Sequence, residues 1–314
     1  MSRRATCATA WYWPTHERWY DEGIRRSLKR SKEAGFTHVN WNCDAGYSYI
    51  YAPSEIEFIA EMISGVGLTA WAVHGSHGKN STTEVGGGYL ETRKDFLSPN
   101  EWQRQAGIDL IRNRLVFAEA IGSPVVVMHF DIDEDAFADP DSKAAYFSVL
   151  DKSVRELRHD CERHNVRIAL ENLNQAPIEQ SLELMDHVFS NHPASQIGLC
   201  YDSGHAELSE KGKFRILENF GDRLITTHLN DNRSVRDDHL LPGDGNVDID
   251  RLADLIAASP CEAPFPWETP YLHHGMGYGM GERAFFHRMH PLVHEFEKRV
   301  AAKRSASTVP LGVA

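Results

Sequence analysis

PVVVMHF (residues 124–130) and VRIALEN (residues 166–172) are two short apolar runs, and AAYFSVLDKSVRELRHDCERHN (residues 144–165) lies between them. Both runs are rich in β-branched residues and have the length of buried strands. The segment between them mixes apolar and charged residues in the amphipathic pattern of a surface helix. A strand, a helix and a second strand in this order predict one unit of a parallel sheet.

The same alternation extends over most of the chain, where helical patterns separate eight runs of strand character. These runs cover residues 5–13, 36–42, 68–74, 124–130, 166–172, 196–202, 224–230 and 264–270. Eight such units in 314 residues predict a single closed (β/α)8 barrel of the α/β class. The alternative is a doubly wound sheet, but the GxGxxG motif expected after its first strand is absent.

Composition narrows the class of protein. Hydrophobic residues make up 41% and charged residues 25%, and the formal net charge is −12. This charge argues against a nucleic-acid partner, because binding to a phosphate backbone normally needs a basic surface. No segment has the length and apolar character of a membrane span or a secretory signal, so we expect a cytoplasmic protein without a membrane partner. We predict one barrel domain over residues 1–303 and a flexible tail over residues 304–314, which lack periodicity.

Residues that can bind metals stand at the ends of successive predicted strands. In a closed barrel these ends meet at one rim, where the chemistry of such folds is located. Carboxylates mixed with imidazoles suit Mn²⁺, Zn²⁺, Co²⁺ or Fe²⁺, and the lack of cysteine at these positions argues against a structural zinc cage. The strand-end residues are His74, His129, Glu171, Asp202, His228 and Glu268, with His205, Asp237 and His239 following shortly after two of the strands.

Five motifs in order give a specific resemblance. They are ALENL (169–173), YDSGHA (201–206), THLND (227–231), DDHLLPGDGN (237–246) and WETP (267–270). They resemble the strand-end motifs of the xylose-isomerase-like TIM-barrel superfamily, and the similarity extends over roughly residues 36–270. That superfamily contains sugar and sugar-phosphate isomerases and epimerases, together with apurinic endonucleases.

The resemblance implies a metal site formed by Glu171, Asp202, His228 and Glu268. A single divalent ion would bind two adjacent sugar oxygens as a Lewis acid; Mn²⁺ is the expected ion, with Zn²⁺, Co²⁺, Mg²⁺ and Fe²⁺ as alternatives. Glu171 and Glu268 would remove and return the proton beside the carbonyl, through an enediolate. His205 would hold a substrate oxygen and Arg233 a hydroxyl or the enolate oxygen.

Other residues leave alternatives open. In the endonuclease-like branch, the residues that match His74, His129, Asp237 and His239 bind further metal ions, which makes a multinuclear zinc apurinic endonuclease the rival enzyme class. Asp237 and His239 could instead only shape their loop. Trp13 and Trp41 are the aromatic residues that we expect at a sugar-binding pocket, and the alternative for both is packing in the core.

The predicted function is that of a metal-dependent isomerase or epimerase acting on a sugar, a keto-sugar or a sugar phosphate. The same site could eliminate a group from a 3-keto sugar or dehydrate a cyclitol, because both reactions begin with proton removal beside a carbonyl. A sugar-binding barrel without activity is the non-enzyme alternative. The expected partner is a small sugar-like molecule, and the resemblance implies a homodimer or homotetramer.

Overall fold

The computed structural model describes residues 5–10, 20–42, 49–76, 94–132, 134–273 and 276–307. Within these ranges, seven strands form one sheet in chain order, and each strand pairs in parallel with the next. The strands are β1 (Cys7–Ala10), β2 (His38–Trp41), β3 (Thr69–Ser76), β4 (Val125–Met128), β5 (Arg167–Glu171), β6 (Ile197–Asp202) and β7 (Leu224–His228). This curled parallel sheet, with helices between its strands, confirms the predicted barrel fold.

The barrel closes through one residue of the segment that was predicted as an eighth strand. Trp267 makes single parallel bridges to Ala8 in β1 and to Leu229 directly after β7. The prediction of a regular strand over residues 264–270 is wrong, because three of these seven residues are proline and lack the N–H that a ladder needs. The Thr9 hydroxyl donates to the Trp267 carbonyl at 2.9 Å and holds the closing segment against β1.

Helices surround the sheet, and glycines end two of them. Gly67 and Gly122 end the second and third helices with left-handed φ angles of 77° and 78°. None of the helices in the described ranges combines the length and apolar composition needed to cross a bilayer. The helices are α1 (Tyr20–Ala34), α2 (Pro53–Val66), α3 (Glu101–Ile121), α4 (Pro140–His164), α5 (Ile178–Asn191), α6 (Ser203–Glu210), α7 (Arg215–Phe220), α8 (Ile249–Ala258) and α9 (Glu282–Ser307).

Three short elements complete the fold. Two 3₁₀ turns lie at Glu134–Phe137 and Gly221–Arg223. An antiparallel hairpin of β8 (Leu272–His273) and β9 (Met276–Gly277) follows the closing segment.

The two faces of the strands bury different sets of side chains. One face packs against the helices and forms the large core of the molecule. The other face fills the inside of the barrel, below the carboxyl ends of the strands, with a compact apolar cluster. This filling leaves the carboxyl-terminal rim as the place where polar side chains can gather. The cluster consists of Ala72, Val125, Val127, Ala169, Cys200 and Ile225.

The last helix extends beyond the predicted domain end. α9 continues to Ser307, and the Arg304 guanidinium donates to the carbonyls of Ile256 and Ser259 at 3.0 and 3.1 Å. Residues 304–307 therefore belong to the barrel, and the predicted tail begins too early. Residues 308–314 of that tail lie outside the described residues.

Candidate metal centre

The barrel brings four of the predicted site residues together, and we call Glu171, Asp202, His228 and Glu268 the deep group. Glu171, Asp202 and His228 are the last residues of β5, β6 and β7, and Glu268 follows the bridge residue Trp267. One oxygen or nitrogen atom from each member lies within 4.8 Å of the others. All four are at most 4% exposed. Three strand ends and the residue after the Trp267 bridge therefore place three carboxylates and one imidazole around a common point.

His228 lies at the centre of this group. Its Nδ1 is 3.1 Å from Glu171 Oε2 and 3.2 Å from Glu268 Oε2. Among the residues that the structure describes, this buried nitrogen has no hydrogen-bond partner. A nitrogen that faces two carboxylate oxygens without hydrogen-bonding geometry is the arrangement expected of a ligand set for a divalent cation. The deep group therefore fits the ion that the resemblance implies.

Two further histidines lie beside Glu171. His129 Nε2 is 3.1 Å and His74 Nε2 is 3.8 Å from Glu171 Oε2. The His74 ring also stacks on that of His228, with centroids 5.5 Å apart. His74, His129 and Glu171 thus form a second set of three convergent donors that shares Glu171 with the deep group.

Three donors lie nearer the solvent, and we call His205, Asp237 and His239 the rim group. His205 is in the first turn of α6, and the other two are in the loop after β7. Asp237 Oδ2 is 3.3 Å from His205 Nε2 and 2.9 Å from His239 Nε2. His239 Nδ1 also pairs with the main-chain carbonyl of Glu268 at 2.6 Å, so the rim group is tied to the deep group.

The environment separates the proton affinities of the two central acids. Burial raises the pKa of Glu171, but the imidazoles of His228 and His129 outweigh burial and hold it well below its ordinary value. Burial raises the pKa of Asp202 to about 7, and the charges of Glu171, Asp237 and Glu268 add to this effect against the influence of His205. Carboxyl groups a few ångströms apart with opposite shifts are typical of functional sites.

The rim group is a mutually stabilised set of charges. Burial would lower the pKa of His239, but its contact with Asp237 raises that pKa to about 9. The same contact, together with His205, holds the pKa of Asp237 well below its ordinary value in spite of burial.

A set of asparagines that the sequence analysis did not single out supports the deep group. Asn42 Nδ2 donates to Glu268 Oε1 at 2.7 Å, and Asn230 Nδ2 donates to both oxygens of Asp202 at 3.1 Å.

Two more asparagines contact the deep group. Asn172 Nδ2 donates to the main-chain oxygen of Asp202, and Asn172 Oδ1 accepts from its main-chain nitrogen. Asn40 Nδ2 lies 3.3 Å from His228 Nε2. Such partners orient metal ligands. Their sequence signal is spacing, since asparagines alternate in VNWN (39–42) and directly follow Glu171.

Asp231 shapes the loop that carries Asp237 and His239. Its Oδ2 accepts the N–H groups of Gly243 and Gly245, both at 2.9 Å. Its Oδ1 accepts those of Asn232 and Val247, at 2.9 and 3.0 Å. Asp231 is fully buried, so this one carboxylate organises the loop from inside.

Of the residues predicted to contact substrate, Trp41 lies in the core and Arg233 at the surface. Trp41 is 1% exposed and packs edge-on against Phe117 of α3, so it belongs to the core and its prediction as a pocket residue is wrong. The Arg233 side chain is 60% exposed with its guanidinium 3.9 Å from Asp238, which leaves it on the surface and apart from the deep group. Trp13 lies outside the described residues.

A small cavity of about 40 Å³ adjoins Glu171 between the ends of β4 and β5. Its walls are mainly apolar, with polar atoms from only a few residues. It is lined by Phe130, Asp131, Ile132, Glu171, Leu173, Gln175, Ala176, Ser181, Leu184 and Met185.

Comparison with known proteins gives a relative that matches nearly the whole chain and solved structures of similar fold. The uncharacterized protein y4fM of Sinorhizobium fredii is 44% identical over 304 residues, which cover 95% of this chain and 96% of that protein. A structure of L-ribulose 3-epimerase superposes with a TM-score of 0.65 at 13% identity, covering 99% of this chain and 100% of that chain.

A second solved structure with the same fold is the 3-keto-D-glucoside 4-epimerase YcjR from E. coli. It gives a TM-score of 0.63 at 15% identity, covering 93% of this chain and 99% of that one. At these identities the structural likeness establishes the fold alone. The family described as xylose isomerase-like TIM barrel matches residues 28–290, and the chain belongs to this family.

Proposed function

We propose that the protein is a divalent-metal-dependent sugar isomerase or epimerase that moves a proton on the carbon beside a carbonyl. The observation that carries the proposal is the placement of Glu171 and Glu268 around His228 Nδ1, with oxygens 3.1 and 3.2 Å from it. Two carboxylates that converge from separate parts of the barrel can approach a bound substrate from two directions. One can then remove a proton and the other return it.

The chain's own residues support a division of roles. Burial raises the pKa of Glu171, but the imidazoles of His228 and His129 hold it below its ordinary value and keep the side chain in the carboxylate form that a general base needs. Asn42 fixes the position of Glu268 through its hydrogen bond of 2.7 Å. His205 points at the same region, with Nδ1 3.5 Å from Glu171 Oε1, and is our candidate for binding a substrate oxygen.

The deep group would hold a divalent cation. When bound, such an ion supplies Lewis-acid polarisation of the substrate carbonyl and binds its neighbouring oxygen. Mn²⁺ remains our expected ion, because three carboxylates and one imidazole form a donor set dominated by oxygen.

The comparisons support the substrate class. Solved structures of similar fold include enzymes whose names specify L-ribulose and a 3-keto-D-glucoside as substrates. Lyase activity on a 3-keto sugar and dehydration of a cyclitol begin with the same proton removal and stay alternatives within this proposal. A homodimer or homotetramer in the cytoplasm stays a prediction.

One observation favours a second candidate, a multinuclear metal phosphodiesterase acting on abasic DNA. His74 and His129 converge on Glu171, and the rim group forms another set of donors. Together with the deep group they offer nine side chains for more than one ion. The net charge of −12 weighs against a DNA substrate, because phosphate contacts dominate that affinity.

Metal analysis combined with a substrate panel tests these candidates. The purified protein is loaded with Mn²⁺, dialysed, and analysed for metal per chain. It is then incubated with ketoses, 3-keto glycosides, cyclitols and an abasic-site oligonucleotide. We expect about one ion per chain and conversion of a keto-sugar that stops on chelation. Two or three ions per chain with cleavage of the oligonucleotide would replace our proposal by the phosphodiesterase, and metal binding without any turnover would indicate a binding protein.

A further inference from the structure

We propose that Asn40 sets the tautomer of His228: its amide oxygen accepts the Nε2 proton, so that Nδ1 presents a bare lone pair to the metal ion. This inference rests on the proposed metal site and concerns a residue that does not contact the ion. It makes Asn40 a positioning residue that acts through His228.

The geometry places the Asn40 amide against the back of the imidazole. Asn40 comes from β2 and His228 from β7, and neither side chain is exposed. Asn40 Nδ2 is 3.3 Å from His228 Nε2. Within the described residues, Asn40 Oδ1 is a buried oxygen without a hydrogen-bond partner. A buried acceptor with no donor is unusual in folded proteins, which is a reason to ask what it serves.

The chemistry of imidazole supplies an answer. A neutral ring has one protonated nitrogen and one nitrogen with a free lone pair. In a neutral ring, Nδ2 of the amide facing Nε2 would leave the ring proton on Nδ1, where it faces the oxygens of Glu171 and Glu268. A metal ligand needs its lone pair on Nδ1, so the proton must then be on Nε2.

The amide can follow this exchange without any change in the backbone. A half-turn of the Asn40 amide swaps Oδ1 and Nδ2, brings the unpaired oxygen to Nε2–H, and satisfies both groups. If the amide is not rotated, the Nε2 proton faces the amide hydrogens in a site closed to water. This disfavours the tautomer in which Nδ1 can bind a metal ion.

A matched control is available in the same strand. Val39 precedes Asn40 in β2 and is buried in the core. Val39→Ala therefore changes the packing beside Asn40 and leaves the Asn40 amide in place.

Binding of Mn²⁺ alone, without substrate, tests the inference in four forms of the protein: wild type, Asn40→Leu, Asn40→Asp and Val39→Ala. Leucine has a similar size and no acceptor, so we expect Asn40→Leu to weaken Mn²⁺ binding by about 10- to 100-fold. Aspartate offers only acceptors, and we expect it to bind Mn²⁺ at least as tightly as the wild type. Val39→Ala should stay within about 3-fold of the wild type, which is smaller than the effect of losing an orienting partner.

A second measurement needs no variant at Asn40. ¹⁵N spectra of histidine-labelled wild type, with His228 assigned by its loss in His228→Gln, report which ring nitrogen carries the proton. With Zn²⁺ bound, we expect a proton on Nε2 of His228 and none on Nδ1. A bare Nε2 in the Zn²⁺ form, or unchanged Mn²⁺ affinity in folded Asn40→Leu, would overturn the inference. Failure of the wild type to bind any metal would instead refute the proposed function.

Discussion

The deep group and the rim group are built from the same kinds of side chain but are supported differently. Three of the four deep residues end consecutive strands, and all four are at most 4% exposed. In the rim group, Asp237 has a side chain that is 28% exposed, and its loop takes its shape from Asp231. The strand ends fix the position of three deep residues. The buried carboxylate of Asp231 instead shapes the loop that carries Asp237 and His239.

This difference indicates how each group should respond to substitutions. A strand-end side chain cannot move unless the sheet moves, so the deep group is preorganised for a demanding geometry. Asp237 and His239 are in a loop, so they can move together when the hydrogen bonds that hold this loop are weakened. We therefore expect catalysis to depend most on the deep group, stability of the loop to depend on Asp231, and residues that only pack the barrel to affect turnover least.

The largest effect should come from removing either carboxylate of the deep group. Glu171→Gln and Glu268→Gln keep the shape of the side chain but cannot carry a proton, so we expect each to lower kcat by about 10²- to 10⁴-fold at saturating metal. Steady-state kinetics on the keto-sugar identified in the panel measure this.

The matched control is Glu297→Gln. Glu297 is an equally buried glutamate whose Oε1 accepts the N–H of Phe265 at 2.9 Å, away from the deep group. We expect it to lower the melting temperature and leave kcat within about 3-fold of wild type, well short of the loss of a proton carrier. Ordinary turnover in both deep-group variants would show that the proposed mechanism is wrong.

An intermediate effect should follow from weakening the support of the rim group. Asp231→Asn replaces one carboxylate oxygen by an NH₂ group, so two of the loop N–H groups lose their acceptor. Each unsatisfied buried donor costs about 1–3 kcal/mol, and we expect the free energy of unfolding to fall by about 2–6 kcal/mol in urea titrations.

Asp248→Asn is the comparison for that loop variant. Asp248 caps α8 from a single hydrogen bond to Arg251 N, and we expect the exchange to cost less than about 1 kcal/mol because asparagine caps helices nearly as well. Equal losses in the two variants would mean that Asp231 does not organise the loop after β7.

The smallest effect on catalysis should come from Trp41→Phe. Trp41 contacts Tyr51 and Phe117 in the core, so the smaller ring should reduce stability by about 1–3 kcal/mol while KM stays within 2-fold. Denaturant unfolding and substrate titration separate the two outcomes. A large rise in KM with unchanged stability would return Trp41 to the substrate pocket.

The sequence determined the order of the elements and the chemistry of the rim. Apolar runs in regular alternation with amphipathic segments predicted the barrel, and their last residues predicted that metal-binding side chains gather at one rim, because in a parallel barrel every strand ends there. The family resemblance, and not the local pattern, selected the deep group from these residues.

Tertiary structure decided which side of a strand faces the core, which the alternation along one strand does not give. Trp41 lies between two asparagines that support the site, and only the packing of α3 against β2 shows that the tryptophan faces the core. Closure through Trp267 joins segments far apart in the chain, and Asp231 gathers four N–H groups from across its own loop. Such contacts depend on the distance between backbones that meet only after folding, so they are determined by the assembled barrel and not by any local stretch of sequence.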